Sequence, residues 1–172
     1  MASLMENLIS VLKDEAEEYN NLLELSMKKT PVIIEGDLEG LQQITDEEQI
    51  IVAKLNRLDA KRAEVTSDIA NVLNKDVNTL KLANIIDMLS TRPVEQNQLA
   101  QAHDELRQVV EQMVRVNQHN QELIQQSLDI VEFDLQLIQS LRCAPQTANY
   151  NKGAYTAGTI MGVGIGNFDA KQ

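Results

Sequence analysis

Two histidines and one cysteine are the residues best suited to metal binding or nucleophilic catalysis, and their spacing supports neither. His103 and His119 stand 16 positions apart, whereas ligands on one helix face stand three or four positions apart. Neither histidine has a glutamate three positions before it, as a di-iron helical bundle requires. Cys143, the single cysteine, follows a predicted helix, whose carboxyl-terminal end disfavours a thiolate. We therefore predict that the protein is not an enzyme and has no metal or other cofactor.

The segment Gly162-Val163-Gly164-Ile165-Gly166 superficially resembles a phosphate-binding loop. It lacks the G-x-G-x-x-G order, no predicted strand precedes it, and no predicted helix follows it. We interpret it as part of a flexible, glycine-rich C-terminal tail, residues 143–172. The alternative is a short linear segment that becomes ordered on a partner, for example as an added strand.

The composition favours packed helices and argues against several kinds of partner. Apolar residues make up 43% of the chain, but aromatic residues only 3%, which favours helix-on-helix packing over a sandwich or barrel. The net charge of −11 argues against binding to nucleic acid or to an anionic membrane surface. The lone cysteine and the absence of a signal peptide suggest a cytoplasmic protein. No apolar run is long enough for membrane insertion.

The longest helix is predicted at about residues 93–142. Val94 to Arg142 contain neither glycine nor proline, and apolar residues recur there every three or four positions, which places them on one stripe of a helix. At about 1.5 Å per residue this stretch would be roughly 74 Å long. One polar gap, Asn117 to Asn120, interrupts the stripe.

Three shorter helices are predicted before this one. The first covers about residues 3–29 and should end or kink at Thr30-Pro31, because proline disfavours helix in the residue before it. The second covers about residues 38–74. A short third helix covers about residues 79–90 and is apolar on one face.

The second helix has two candidate starts and an interrupted apolar pattern. Asp37 is a suitable N-cap, and Thr45 offers a later alternative. Apolar residues follow a near-heptad spacing from Leu41, as in a coiled-coil hairpin, but Glu48 and Arg62 interrupt it. The predicted fold is all-α. It is an elongated antiparallel hairpin or bundle of about three long helices and one short helix, residues 1–142, followed by the tail.

The predicted helix lengths do not match. The first two long helices would each span roughly 40 to 50 Å, so part of the apolar stripe on the last helix should stay uncovered. The half after Asn120 is the best placed, because it continues into the tail. An exposed apolar stripe is a docking surface for another amphipathic helix.

Several local patterns cover nearly the whole chain. They are Met27-Lys28-Lys29, Ile33 to Leu41, Ile44, Glu47-Glu48, Leu58-Asp59, Lys61-Arg62, Asn117 to Ile124, Leu128, Val131 and Phe168 to Lys171. Together they resemble the flagellar export chaperones of the FlgN type, and the last of them is similar to the tails of Gram-positive members.

The resemblance implies a cytoplasmic, non-enzymatic chaperone. It would bind the C-terminal helical segment of hook-associated proteins, prevent their premature assembly and deliver them to the flagellar type III export gate. The client-binding residues that the resemblance implies are Asn117, Asn120, Leu123, Ile124, Leu128, Val131, Leu135 and Ile138. Contact with the gate would involve Tyr150 or Tyr155. The alternative is a structural coiled-coil protein without a client, since the same apolar stripe would also serve a homo-oligomer.

Overall fold

The structure, a computed structural model, describes residues 2–143, and all regular structure in this range is helical, as predicted. Two short 3₁₀ turns, Val77–Thr79 and Leu89–Thr91, flank the third helix. The packing described below is that of residues 2–134, because residues 135–143 belong to a second unit. The four helices are α1 (Ala2–Glu35), α2 (Leu38–Leu73), α3 (Leu82–Met88) and α4 (Pro93–Cys143).

The first helix does not end at Thr30-Pro31, in contrast to the sequence-based expectation. It continues through Pro31 to Glu35. Pro31 lacks an N–H group, so the carbonyl of Met27 loses its helical partner. Both residues are exposed, which leaves that carbonyl on the solvent side. The last turn is held on the other side, where Ile33 is 6% exposed. Burial of this turn explains why the helix tolerates the proline.

A two-residue turn, Gly36-Asp37, joins α1 to α2. Gly36 has φ of 70°, a left-handed conformation that glycine adopts without strain. Its N–H donates to the Ile33 carbonyl at 3.2 Å, and the Asp37 N–H donates to the Val32 carbonyl at 3.1 Å, as in a Schellman motif. The Asp37 carboxylate then accepts from the Gly40 N–H at 3.0 Å. Asp37 is therefore the N-cap of α2, as predicted.

The core lies between α1, α2, α3 and the first half of α4. Side-chain contacts from α1 to α4 advance along both helices, from Ser26–Met113 to Thr30–Asn120, so α4 runs parallel to α1 and antiparallel to α2. The buried apolar residues of α4 all precede Asn117, where the sequence places the end of the bundle-facing half. They are Leu99, Ala102, Leu106 and Val109, which pack with Met5, Leu8, Ile9, Leu12, Ala16, Leu23, Val65, Ile69, Ala70, Leu80, Ile85 and Leu89.

The two residues that interrupt the heptad spacing of α2 both pair with α1. Glu48 accepts from Lys29 at 2.6 Å, and both side chains are about 15% exposed. Arg62 lies 3.4 Å from the carboxylate of Glu15, whose side chain is 4% exposed. These positions face the core like their apolar neighbours and contribute ion pairs between the helices in place of apolar contacts.

The segment between α2 and α4 contains residues that cap the ends of its helices. Asn74 ends α2 in a left-handed conformation with φ of 51°, close to the predicted end. Asp76 caps the first 3₁₀ turn by accepting from the Asn78 N–H at 3.0 Å. The third α-helix is shorter than the predicted 79–90, since 3₁₀ turns occupy both of its ends. Pro93 is the first residue of α4, where its missing N–H costs nothing.

Candidate functional site

Exposure changes along α4. From Leu99 to Val109 the helix has a buried apolar residue in every turn, and Met113 and Val116 are partly buried, whereas from residue 125 to residue 134 every residue is exposed. The exposed residues include large apolar side chains, which cost free energy when they face water. Leu128 is 57%, Ile130 62%, Val131 54% and Phe133 64% exposed. These exposed apolar side chains mark this part of α4 as a candidate binding element.

A groove with a volume of about 560 Å³ lies between this part of α4 and the turn that joins α1 to α2. One wall comes from α4, and the other comes from the last turn of α1 and the start of α2. Most of the lining is apolar, and Glu35 and Asp37 are its charged residues. The lining residues are Val32, Ile33, Ile34, Glu35, Gly36, Asp37, Leu38 and Leu41 on the first wall, and Ile124, Ser127, Leu128, Ile130 and Val131 on α4.

Asn120 lies on α4 one turn before the groove and is 2% exposed. Its Nδ2 donates to the Ser26 carbonyl at 2.7 Å, and its Oδ1 accepts from the Thr30 hydroxyl at 2.6 Å. Both polar atoms of the buried amide are therefore satisfied by α1. This pairing sets the register of α4 against α1 one turn before the groove begins.

A second polar contact ties α2 to the same region. Ser26 donates through Oγ to Oε1 of Glu48 at 3.5 Å, and Glu48 pairs with Lys29. The end of α1 is thus held by hydrogen bonds to α4 on one side and by an ion pair to α2 on the other. The two walls of the groove are positioned before any partner binds, which lowers the ordering cost of binding.

The structure brings together only some of the client-binding residues implied by the sequence. Ile124, Leu128 and Val131 lie side by side in the groove. Asn120 is buried in the bundle, one turn before the groove. Asn117 is exposed on α4 before the groove. Leu123 is half-buried and does not line the groove.

The remaining predicted residues lie beyond the first unit. Leu135 and Ile138 belong to the second unit and are 54% and 48% exposed. Tyr150 and Tyr155, the predicted gate contacts, lie outside the described residues, as does nearly all of the predicted tail.

Sequence reasoning did not find the first wall of the groove. Ile34 and Leu38 are 68% and 79% exposed, although both are large apolar residues beside a tight turn. The available signal was a run of three apolar residues, Val32 to Ile34, one residue before Gly36-Asp37. The spacing alone does not reveal that this turn lies level with Ile124 and Leu128.

A buried carboxylate lies at another level of the bundle. Burial raises the pKa of Glu15 above its ordinary value, whereas nearby Arg62 lowers the pKa and Asp59 raises it. Oε1 of Glu15 has no hydrogen-bond partner among the described residues. The carboxylate borders a space of about 390 Å³ that also touches Tyr19 and Leu106. Asp59 and Arg62 line the same space.

Residues 2–143 contain no cluster of three or more potential metal ligands. Within the same range, no helix combines the length and apolar character needed to cross a membrane.

Comparison with protein families identifies the family of this chain. The model of the family described as FlgN protein matches residues 1–157. The chain belongs to the FlgN family. Comparison with curated proteins and with solved structures gives no match. FlgN proteins are chaperones of flagellum biogenesis, and membership makes this chain a flagellar chaperone with a flagellar protein as its partner.

Family membership also fits the arrangement of the groove. A chaperone needs an accessible apolar surface on a scaffold that stays folded when the surface is empty. In this FlgN-family chain the scaffold is the core up to Val109 and the polar contacts of Asn120. The accessible surface is the groove and the exposed side chains of α4.

Proposed function

We propose that this FlgN-family protein is a cytoplasmic chaperone of the flagellar type III export system. It binds the C-terminal helical segment of hook-associated proteins, prevents their premature assembly and delivers them to the export gate. A client segment that is unfolded when free loses conformational entropy on docking, which keeps the affinity moderate. Moderate affinity suits a carrier that must release its cargo.

One observation carries the proposal: exposed apolar side chains of α4 and exposed apolar side chains of the turn between α1 and α2 line the same groove. Leu128 and Val131 are 57% and 54% exposed, and Leu38 opposite them is 79% exposed. An amphipathic helix of the client would cover these side chains and remove them from water.

Binding is tested with a synthetic peptide that spans the C-terminal helical segment of a hook-associated protein. Mixing with the chaperone should increase the helicity seen by circular dichroism and release measurable heat. The double variant Leu128→Asp/Val131→Asp should abolish both signals. The matched control is Val94→Asp/Val114→Asp, whose residues are 68% and 58% exposed on the same helix and lie outside the groove. Absence of binding to the unmodified protein would overturn the proposal.

Delivery is tested separately from binding. Tyr150→Ala and Tyr155→Ala should leave peptide binding unchanged and stop secretion of the hook-associated protein from the cell. Normal secretion by the double variant would remove both tyrosines from the proposed gate contact.

A measurement of self-association distinguishes the proposed chaperone from the alternative, a structural coiled-coil protein. Light scattering across a dilution series should show one mass for the free protein, together with binding of the peptide. A concentration-dependent oligomer that binds no peptide would favour the structural protein.

A further inference from the structure

The two walls of the groove carry carboxylates along with their apolar residues. Glu35 and Asp37 line the first wall, and Glu39 follows on the exposed start of α2. Asp134 lies three positions after Val131 and four after Ile130, which places it on the same face of α4. None of these four carboxylates forms an ion pair within the described residues. Asp37 is engaged as the cap of α2, and the charges of Glu35, Glu39 and Asp134 are available to a partner.

Within the described residues, the chain segments that form the groove contain no basic residue to offset this charge. The sequence contains neither lysine nor arginine from residue 30 to residue 53 or from residue 116 to residue 134. The amino end of α2 contributes a partial positive charge, but Asp37 is its cap and Glu39 lies in its first turn. The lysine, arginine, aspartate and glutamate residues of these two segments are therefore all acidic, and Glu35 and Asp37 are the charged residues among the mostly apolar lining of the groove.

This charge argues against a second copy of the chain as the occupant. The exposed face of α4 that a second copy would insert carries Asp129 and Asp134 and has no cation between residues 116 and 134. Like charges would then meet across the contact, and both copies already carry a net charge of −11. For a partner with basic residues, the same electrostatic interactions would favour binding.

From the geometry and the charge together, we infer that the turn between α1 and α2 is the second wall of the binding site and that its occupant is a client helix with lysine or arginine beside its apolar stripe. The apolar stripe packs between Leu38 and Leu128. The basic side chains lie along the rim, near Glu35 and Asp134. This inference rests on the proposed function for the nature of the partner.

The probes are two designed helical peptides with the same leucine stripe. One carries lysine and the other glutamate at the positions that flank the stripe. At low ionic strength the lysine peptide should bind the full-length protein on the order of threefold to tenfold more tightly, the range given by a few exposed ion pairs. Because salt screens such pairs, the preference should shrink as salt is added.

Two sets of variants locate the preference. Glu35→Gln/Asp134→Asn should remove most of it. Glu64→Gln/Asp68→Asn removes the same charge from exposed positions of α2 away from the groove. This control should leave the preference for the lysine peptide intact. Leu38→Asp should weaken both peptides without lowering the melting temperature, since Leu38 is 79% exposed.

Equal binding of the two peptides, or equal loss of the preference in both carboxylate variants, would overturn the inference. Dimerisation of the free protein that Leu38→Asp abolishes would also overturn it, because the second copy would then be the occupant. The hook-associated peptide separates the two proposals. If it binds and the lysine preference is absent, only this inference fails. If the lysine peptide binds and the hook-associated peptide does not, only the proposed function fails.

Discussion

Asn120 on α4 and Ser26 on α1 are joined by a hydrogen bond of 2.7 Å from the buried amide of Asn120 to the Ser26 carbonyl. The sequence shows Asn120 only as part of a polar gap in an apolar stripe. In the structure, the same residue fixes α4 against α1 where the core ends and the groove begins. The gap is therefore a polar contact within the bundle at its boundary with the exposed part of α4.

Replacing Asn120 by alanine should lower the free energy of unfolding by about 1–3 kcal/mol. The substitution removes the 2.6 Å bond from the half-buried Thr30 hydroxyl, which keeps only the weaker contact of 3.4 Å to the Ser26 carbonyl, and it removes the bond from Asn120 to that same carbonyl. Urea unfolding followed by circular dichroism measures the loss. Asn117→Ala is the matched control, because Asn117 is exposed three positions earlier on the same helix, and it should change stability by less than about 0.5 kcal/mol. Equal effects of the two substitutions would contradict the structural role of Asn120.

Glu15 should make stability depend on pH in a predictable direction. Its pKa in the folded protein is raised above the ordinary value of 4.5, mainly by burial. Ionisation therefore favours the unfolded chain: the contribution of this group to stability is complete below pH 4.5 and is lost as the pH rises through the folded-state pKa.

Glu15→Gln removes this titration and keeps the shape of the side chain. The stability of the variant minus that of the unmodified protein should therefore increase as the pH is raised from 4.5 towards neutrality. Part of the gain is offset, because glutamine does not pair with Arg62. Urea unfolding at a series of pH values gives the difference directly. A difference that stays constant or decreases over this range would show that the pKa of Glu15 is not raised by burial.

In the turn between α1 and α2, the effect of a Gly40 substitution on stability should depend on Asp37. A Cβ atom at Gly40 would collide with the capping carboxylate of Asp37, whereas the next contact, Val32 Cγ1 at 3.4 Å, is close to ordinary. Gly→Ala inside a helix normally stabilises by about 1 kcal/mol. Here that gain should be absent, because the cap is displaced. It should reappear when Asp37→Ala is already present.

A double-mutant cycle of Asp37→Ala and Gly40→Ala measures this dependence as a coupling free energy of about 1 kcal/mol, within the range for residues in contact. Additive effects would show that the carboxylate moves aside without losing its bond to the Gly40 N–H.

The parts of the fold that follow local rules were predictable. Pro93 and Asp37 fix the starts of α4 and α2, and Asn74 ends α2, because each acts through its own backbone conformation or cap. The all-α architecture followed from composition and periodicity in the same way.

The parts that depend on distant contacts were not predictable. Glu48 and Arg62 looked like interruptions, since their partners Lys29 and Glu15 lie on another helix. Half of the candidate site was missed for the same reason. The α4 wall follows from the spacing of Ile124, Leu128 and Val131. The opposite wall requires the knowledge that α4 runs parallel to α1 and reaches the turn at that level.

Pro31 is the clearest conflict between a local rule and the tertiary structure, and it supports a last prediction. The helix continues through Pro31, although an internal proline costs about 3 kcal/mol in a helix. Pro31→Ala restores an N–H donor for the Met27 carbonyl and removes the clash of the ring. Against this, proline restricts the unfolded chain, which opposes the gain by about 0.4–1 kcal/mol. The net expectation is an increase in the free energy of unfolding of at least about 1 kcal/mol.

Chemical denaturation of Pro31→Ala, compared with Lys28→Ala at an exposed position of the same helix, measures this gain. The lysine control should change stability by less than about 0.5 kcal/mol. Pro31 is exposed, so little packing is lost when its ring is removed. A loss of stability would mean that the helix ends before Pro31 in solution. In that case Ile34 would not be held opposite Leu128, and binding of the client peptide would not respond to substitutions at Ile34 or Leu38.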